Sequence, residues 1–369
     1  MKIALLIDTL GSGGAQRQIV NLACELTSRG FKCHLIYYHD KNHYKHILDH
    51  YHVKTILLEK KSSYDANFIL KLRKLFLKEN YDILNTYLFV PGFLGLIIKL
   101  LTHGNIKLVL SERSFEKNTP NLIKKMRFFY PYANLITSNS HAQTAVLKIL
   151  MPKISSKIVY MANSIDVKKF SRDRKNIIPK NHIKFVGIGR IENNKNPLLL
   201  IEAAVLLKNN HSIILEVTWA GAYQSNTVND QYLQKCNQLI EGHGLSNYWK
   251  WVGEIEDVKR LYESSDIVYH GSFGEGFPNV ICEGLAMSSI IIASNVYDHP
   301  KILEDGINGF LFDPLHVEEL VNVVLKIISL SDAEILKIRD FARLTAQNMF
   351  SIDKILELNI KQYLKLLMN

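Results

Sequence analysis

Two acidic side chains eight positions apart mark the stretch of this chain that is best suited to chemistry. Residues 273–283 read Phe-Gly-Glu-Gly-Phe-Pro-Asn-Val-Ile-Cys-Glu, so Glu275 lies in a glycine-rich loop and Glu283 in a helix predicted to begin near Pro278. Glycines allow backbone N–H groups to approach a ligand closely, and a helix start directs its positive end at an anion. The stretch suits a phosphorylated sugar, because the carboxylates can accept hydrogen bonds from sugar hydroxyls. A surface loop leading into a helix with two solvated acids would give the same pattern.

A second candidate loop carries two cations. Residues 189–197 read Gly-Arg-Ile-Glu-Asn-Asn-Lys-Asn-Pro and follow an apolar run. Arg190 and Lys195 flank a predicted helix start, with Asn196 as its cap and Pro197 in its first turn. Cations that converge on a helix start suit a diphosphate. An ordinary solvated pair of cations is the alternative.

A third loop is rich in glycine and follows the first apolar run of the chain. It reads Leu-Gly-Ser-Gly-Gly-Ala-Gln-Arg over residues 10–17, and Gly13 and Gly14 precede a predicted helix. The dinucleotide fingerprint G-x-G-x-x-G is absent, so the loop is either an anion or sugar contact or a tight turn between strand and helix.

The elements that position these loops alternate between strand and helix along the whole chain. The helices are predicted at segments such as 16–29, 197–208, 257–264, 317–330 and 352–367. The predicted strands are 3–7, 34–38, 53–57, 83–86, 107–111, 135–137, 158–160, 183–188, 213–220, 249–252, 267–270, 290–293 and 309–312. This alternation, occurring twice, predicts an α/β protein with two doubly wound, Rossmann-like domains, whose ligands bind beyond the carboxyl ends of the strands.

The domain boundary is predicted within a charged segment without periodicity, Lys168–His182. The first domain would comprise residues 1–172 together with a final helix at about 352–369, and the second residues 173–351. A length of 369 residues is appropriate for two domains.

Several features narrow the class of protein. The four cysteines have no metal-type spacing and indicate no disulfide framework, so a cytoplasmic location is expected. The first apolar run is read as a strand and not a signal peptide. The apolar stretch 88–101 is interrupted by Pro91, Gly92, Gly95 and Lys99 and is too short for the roughly 20 residues of a membrane span, so a buried helix is predicted.

The net charge of +10 is unevenly distributed. Residues 1–180 carry 29 Lys and Arg against 12 Asp and Glu, whereas residues 181–369 carry 16 against 23. Nucleic acid and a membrane surface are the anionic partners to consider, and no nucleic-acid-binding motif is present. Residues 117–132 mix cations with aromatic residues, which favours a membrane interface, while residues 67–78 resemble an ordinary amphipathic helix. We therefore expect peripheral contact with the inner face of an anionic cytoplasmic membrane.

Taken together and in order, these motifs resemble those of the GT-B glycosyltransferases, in particular the large retaining family 4 of surface-polysaccharide and O-antigen assembly. The resemblance covers nearly the whole length. The matching pieces are Gly13-Gly14, Asn139-Ser140, residues 163–166, Gly189-Arg190 with Lys195, residues 252–254, the stretch from Glu275 to Glu283, and residues 305–312.

The resemblance implies two facing domains with a central cleft and a final helix that crosses back to the first domain. It implies that Arg190, Lys195 and Glu275 are catalytic, with the two cations on the donor diphosphate. The donor would also be held by Gly13, Gly14, Glu254, Gly274, Gly276, Phe277, Pro278, Asn279 and Glu283, the last on the ribose hydroxyls. Residues 111–114, Ser-Glu-Arg-Ser, replace the segment in which many relatives carry a histidine, and place Glu112 and Arg113 on the acceptor side.

The implied reaction transfers a sugar from a nucleotide donor, UDP by default, to a lipid-diphosphate-linked sugar acceptor. No D-x-D motif occurs, so neither a metal nor a cofactor is expected, and fixed cations would stabilise the leaving diphosphate. Two alternatives stay open: a nucleotide-sugar 2-epimerase of the same architecture, and a non-catalytic sugar-binding subunit of a polysaccharide assembly complex.

Overall fold

A computed structural model describes residues 1–62, 65–102, 104–113, 123, 125, 127–171, 178–255 and 257–368. The chain forms two compact units. The first unit contains residues 1–164 and 352–369, and the second contains residues 165–351. The division thus follows Ser164, a few residues before the predicted position. Residues 172–177 of the predicted linker lie outside the described residues.

The first unit is built around a seven-stranded parallel sheet. Its strand order is β3-β2-β1-β4-β5-β6-β7, and every neighbouring pair is parallel. The strands are β1 (Lys2–Leu6), β2 (Lys32–Tyr37), β3 (Lys54–Leu57), β4 (Ile83–Tyr87), β5 (Lys107–Glu112), β6 (Leu135–Ser138) and β7 (Ile158–Tyr160). The helices are α1 (Gly14–Ser28), α2 (Lys45–His50), α3 (Ala66–Glu79), α4 (Phe89–Leu101), α5 (His141–Leu150) and α13 (Ile352–Met368).

Both faces of this sheet are buried, as the continuous apolar runs of its strands predict. In β1, Ile3 and Leu5 join one apolar cluster, while Ala4 and Leu6 join another. The predicted buried helix is confirmed as α4. A Cβ atom at Gly95 would lie 2.7 Å from Cγ2 of Thr86, so this glycine allows the helix to pack closely on β4.

The second unit contains a six-stranded parallel sheet of order β10-β9-β8-β11-β12-β13. Its strands are β8 (His182–Ile188), β9 (Ile214–Ala220), β10 (Trp249–Gly253), β11 (Ile267–His270), β12 (Ile290–Ser294) and β13 (Phe310–Phe312). Its helices are α6 (Pro197–His211), α7 (Thr227–Gly242), α8 (Lys259–Ser264), α9 (Asn279–Ala286), α10 (His299–Ile302), α11 (Val317–Ser329) and α12 (Asp332–Phe350).

Both sheets have the order of a doubly wound fold, in which successive strands are added first on one side and then on the other. The order reverses between β1 and β4 in the first unit and between β8 and β11 in the second. Since ligands of such folds bind at the carboxyl ends of the strands beside this reversal, the topology confirms the predicted fold class and shows where the site of each unit should be sought.

Candidate functional site

The two loops that carry the predicted donor-binding residues meet at the reversal point of the second sheet. Arg190 and Lys195 follow β8, and Glu275 follows β11, the strand directly beside it. The loops are joined by backbone and side-chain hydrogen bonds. The amide of Phe273 donates to the carbonyl of Asn194 at 2.9 Å, and Asn194 Nδ2 donates to the carbonyl of Gly274 at 3.0 Å.

A largely buried ion pair joins Lys195 and Glu275. Lys195 Nζ donates to Oε1 of Glu275, and each side chain is only 16% exposed. The same carboxylate oxygen accepts a hydrogen bond from Ser272 Oγ at 3.0 Å and lies 3.3 Å from Nε2 of His270. Glu275 is therefore fixed by groups from both loops, which places its carboxylate in one defined position.

This surrounding keeps Glu275 ionised. Burial by itself would raise the pKa of Glu275, but contact with His270 and the charge of Lys195 outweigh it, so that the pKa lies well below that of an ordinary glutamate. A carboxyl with a lowered pKa accepts hydrogen bonds and holds no proton to give at neutral pH. The side chain can thus hold sugar hydroxyls, and it is not a general acid.

Two histidines beside Glu275 were missed by the sequence prediction. His270 ends β11 and is buried, and its ring centroid lies 5.1 Å from that of His299. His299 Nδ1 lies 2.7 Å from the carbonyl oxygen of Ser294, and burial lowers the pKa of His299 to about 3. In the sequence, the one available signal was His270 itself, a polar residue at the carboxyl end of an otherwise apolar strand, which is where ligands of such folds bind.

Close backbone packing supports the loop that carries the cations. A Cβ atom at Gly221 would lie 2.0 Å from the carbonyl oxygen of Gly189, and this same oxygen accepts a hydrogen bond from Nε1 of Trp219 at 2.9 Å. Arg190 is 58% exposed, and its guanidinium lies 3.1 Å from a carboxylate oxygen of Glu192. Both cations of this loop are thus paired with an acid, and Arg190 is the more exposed of the two.

Helix α9 begins at Asn279, close to the predicted start, and the residue before it, Pro278, makes no side-chain capping hydrogen bond. Phe277 is buried and lies edge to face with Phe350, with 5.7 Å between ring centroids. Gly274 and Gly276 are half-buried in the loop between β11 and α9. The start of this helix is the end that attracts anions.

The second acid of the motif has a different surrounding. Glu283 is 3% exposed, and its Oε2 accepts a hydrogen bond from the hydroxyl of Tyr262 at 2.9 Å. Glu254, which follows β10, is exposed. The structure thus brings Lys195 and Glu275 into direct contact. Glu283 lies in the interior of the same unit, and Glu254 lies on its surface.

In the first unit, the glycine loop and Arg113 lie at the carboxyl ends of β1 and β5. Gly13 precedes α1 in extended conformation, and Gly14 is the first residue of that helix. The guanidinium of Arg113 lies 4.5 Å from the ring centroid of Tyr87 and donates to its hydroxyl at 3.1 Å. Nε of Arg113 is buried and, within the described part of the chain, has no hydrogen-bond partner.

The side chain of Glu112 is held in the interior of the first unit by hydrogen bonds. It is 6% exposed and accepts hydrogen bonds from Arg127, Tyr130 and Gln143, at distances of 2.6 to 3.2 Å. These contacts connect β5 to α5 and to the segment before β6. The two neighbours predicted for the acceptor side therefore differ, since Glu112 is fully engaged and Arg113 retains a donor.

Within the described ranges, no three His, Cys, Asp or Glu side chains are grouped so as to hold a metal ion. All four cysteines are buried and unpaired with one another. None of the helices described has the length and apolar composition needed to cross a bilayer.

Comparison with known families accounts for both units. Residues 12–169 match the family described as Glycosyltransferase Family 4, and residues 168–342 match Glycosyl transferases group 1. Among curated proteins, the capsular polysaccharide biosynthesis glycosyltransferase CapH of Staphylococcus aureus is 26% identical over 66% of each chain. A Campylobacter jejuni alpha-1,4-N-acetyl-D-galactosaminyltransferase, named for a PP-undecaprenol-linked saccharide, is 24% identical over 84% of each chain.

Solved structures share the fold over the full length. Anabaena HepE in complex with UDP aligns with a TM-score of 0.83 at 20% identity, covering 98% of this chain and 99% of that one. A glycosyltransferase from Rickettsia africae gives the same TM-score at 22% identity, covering 100% and 99%. Two consecutive matching domains and this fold show that the chain belongs to the GT-B glycosyltransferases of family 4.

Proposed function

We propose that this protein transfers a sugar, with retention of anomeric configuration and without a metal ion, from a UDP-linked hexose or N-acetylhexosamine to a sugar hydroxyl of a lipid-diphosphate-linked acceptor in bacterial surface-polysaccharide assembly. The Lys195–Glu275 pair at the reversal point between β8 and β11 is the observation that carries the proposal. The names of the relatives support the acceptor class, and UDP in the related structure supports the nucleotide.

The described side chains suggest a division of labour for the reaction. Ionised Glu275 accepts hydrogen bonds from hydroxyls of the donor sugar. The diphosphate is held by Arg190, which is largely exposed, by Lys195 and by the N-terminus of α9. As the glycosidic bond breaks, negative charge grows on the departing diphosphate, and fixed positive groups lower the barrier by stabilising that charge.

The experiment combines donor identification with product analysis. Thermal shifts are measured with a panel of UDP-, GDP- and ADP-sugars, and the stabilising donor is then incubated with a polyprenyl-diphosphate-linked saccharide in EDTA. We expect one UDP-sugar to raise the melting temperature of the protein. In the product, the NMR coupling constant of the anomeric proton should correspond to the same anomeric configuration as in the donor. An inverted product contradicts retention, and activity that EDTA abolishes and Mg²⁺ restores contradicts metal independence.

A second function is favoured by one observation. His270 lies 3.3 Å from Glu275, and histidine is the side chain that most often serves as a general acid or base, as a nucleotide-sugar 2-epimerase would require. Conversion of a UDP-sugar to its C2 epimer without any acceptor would assign this activity instead. Donor binding with neither transfer nor epimerisation, tested over the same panel, would assign a non-catalytic sugar-binding subunit.

A further inference from the structure

Helix α5 of the first unit packs Leu147 into the core, yet it also carries apolar residues on its solvent side. Its polar residues Gln143 and Thr144 are buried and hydrogen-bonded to Glu112 and to the backbone of the helix start. Its solvent side carries Val146, Ile149 and Leu150, which are 39%, 78% and 61% exposed. Surface helices usually place such residues toward the core, so this apolar stripe needs a partner of its own.

Aromatic residues from a separate segment lie against the end of this stripe. Phe128 and Tyr132 are 77% and 59% exposed. Phe128 and Leu150 share the lining of an open depression of about 690 Å³, whose floor includes Pro131 and Ile154. We call the exposed side chains of Phe128, Phe129, Tyr132, Val146, Ile149 and Leu150 the apolar face.

The chain segment that contains the apolar face carries charges of a single sign. Seven Lys and Arg and no Asp or Glu occur between Glu116 and Asp166. Lys125, Lys148 and Lys153 are exposed beside the face, whereas Arg127 is neutralised by Glu112. Apolar and aromatic side chains surrounded by lysines are the composition that binds the interface of an anionic bilayer.

A second copy of the chain fits this surface less well. A two-fold interface would place the same patch opposite itself, and the exposed lysines around the face would then meet lysines. Anionic lipid head groups neutralise them instead, and the apolar residues gain by leaving water.

We infer that the apolar face is the surface by which this protein docks on an anionic membrane. The inference rests on the proposed function in one respect, because a lipid-linked acceptor would require the enzyme to work at a membrane. Phe128, Phe129 and Tyr132 belong to the segment 117–132 that composition predicts to contact a membrane, whereas α5 was not predicted to do so. Residues 117–122, 124 and 126 lie outside the described part of the chain.

The test measures cosedimentation of the full-length protein with vesicles of phosphatidylcholine, with or without 30 mol% phosphatidylglycerol, at low and high salt. We expect binding to the anionic vesicles that weakens at least tenfold at high salt. The triple variant F128S/I149S/L150S should bind at least tenfold more weakly, and K148S/K153S should lose most of the salt dependence. V228S/L315S removes two residues of similar exposure, 70% and 73%, from the second unit and should bind like the wild type.

Unchanged binding of the triple variant, or equal binding to neutral and anionic vesicles, overturns the inference. So does a wild-type dimer in sedimentation equilibrium that the triple variant abolishes while neither protein binds vesicles. Circular dichroism and thermal unfolding verify that each variant is folded. Transfer to a short-chain, water-soluble acceptor should survive in the triple variant, so a failure of the catalytic proposal is distinguished from a failure of docking.

Discussion

The Lys195–Glu275 ion pair gives the sharpest prediction, because the same two side chains affect stability and donor binding in different ways. Replacing Lys195 by Met leaves a carboxylate that is mostly buried with Ser272 and His270 as its neighbours. Removing one partner of a buried pair costs about 3–5 kcal/mol. The remaining contacts and the residual exposure of 16% reduce the expected loss to about 2–3 kcal/mol.

A loss of that size lowers Tm by about 5–10 °C for a unit of this length. Glu275→Gln alone should cost less, about 1–2 kcal/mol, because the long Lys195 side chain can turn its charge toward water. In the double variant neither charge is left buried without a partner, so its loss should be smaller than the sum of the single losses by at least about 1 kcal/mol.

The assay is urea unfolding at pH 7.5, followed by circular dichroism, together with donor turnover for all three variants. Turnover should remain low in the double variant although its stability recovers. Arg190→Met is the matched control, since Arg190 is 58% exposed: its stability should change by less than about 0.5 kcal/mol while donor affinity falls. Strictly additive stability losses in the double variant would refute the pair as a coupled, buried interaction.

Three further predictions concern separate parts of the molecule. The pKa of His299 in the folded protein, about 3, lies below its value in the unfolded chain, so the unfolded chain takes up an extra proton as pH falls below about 6.5. The free energy of unfolding should therefore fall by up to about 1.4 kcal/mol per pH unit between pH 6 and 5. In urea unfolding at several pH values, His299→Gln should show a weaker dependence of this free energy on pH. Glu112→Gln should destabilise the first unit by about 1–3 kcal/mol and speed amide exchange in α5 without changing the donor KM; a changed KM at wild-type stability would contradict its structural role. Gly221→Ala should displace the backbone of Gly189 and weaken donor binding about tenfold or more, an affinity ratio that corresponds to 1.4 kcal/mol, whereas Gly242→Ala, which has no neighbour within 4 Å, should bind donor normally.

Strand positions and sheet class were predictable because parallel strands buried on both faces are continuous apolar runs. All thirteen predicted strands are present, with ends that agree within two residues: β11 has the predicted ends 267–270, whereas β2 spans 32–37 where 34–38 was predicted. Helix starts were predictable where a proline or glycine fixed them, as at Pro197 and Pro278. Asn196 stands where the predicted cap stands, yet it has left-handed backbone angles and its side chain donates to Pro314 instead.

The site was predictable in its residue types and less so in its contacts. The spacing placed Lys195 and Glu275 in loops that follow two strands, but the direct contact between them depends on β8 and β11 being neighbours, which only the strand order shows. His270 and His299 were missed because they are far apart in sequence and each resembles an ordinary core residue. The surrounding of Glu112 depends on Gln143, thirty-one positions away in another helix.

The last helix, α13, has a consequence for the order in which the protein is made. Leu356 and Tyr363 belong to the apolar core of the first unit, and the hydroxyl of Tyr363 accepts a hydrogen bond from Nδ2 of Asn85. All of the second unit is synthesised between Ser164 and this helix. During synthesis, the core of the first unit therefore stays incomplete until α13 has been made, whereas the second unit can already fold. A nascent chain arrested before Ile352 should expose that gap to protease and to hydrophobic dyes, and α13 supplied as a separate peptide should close it.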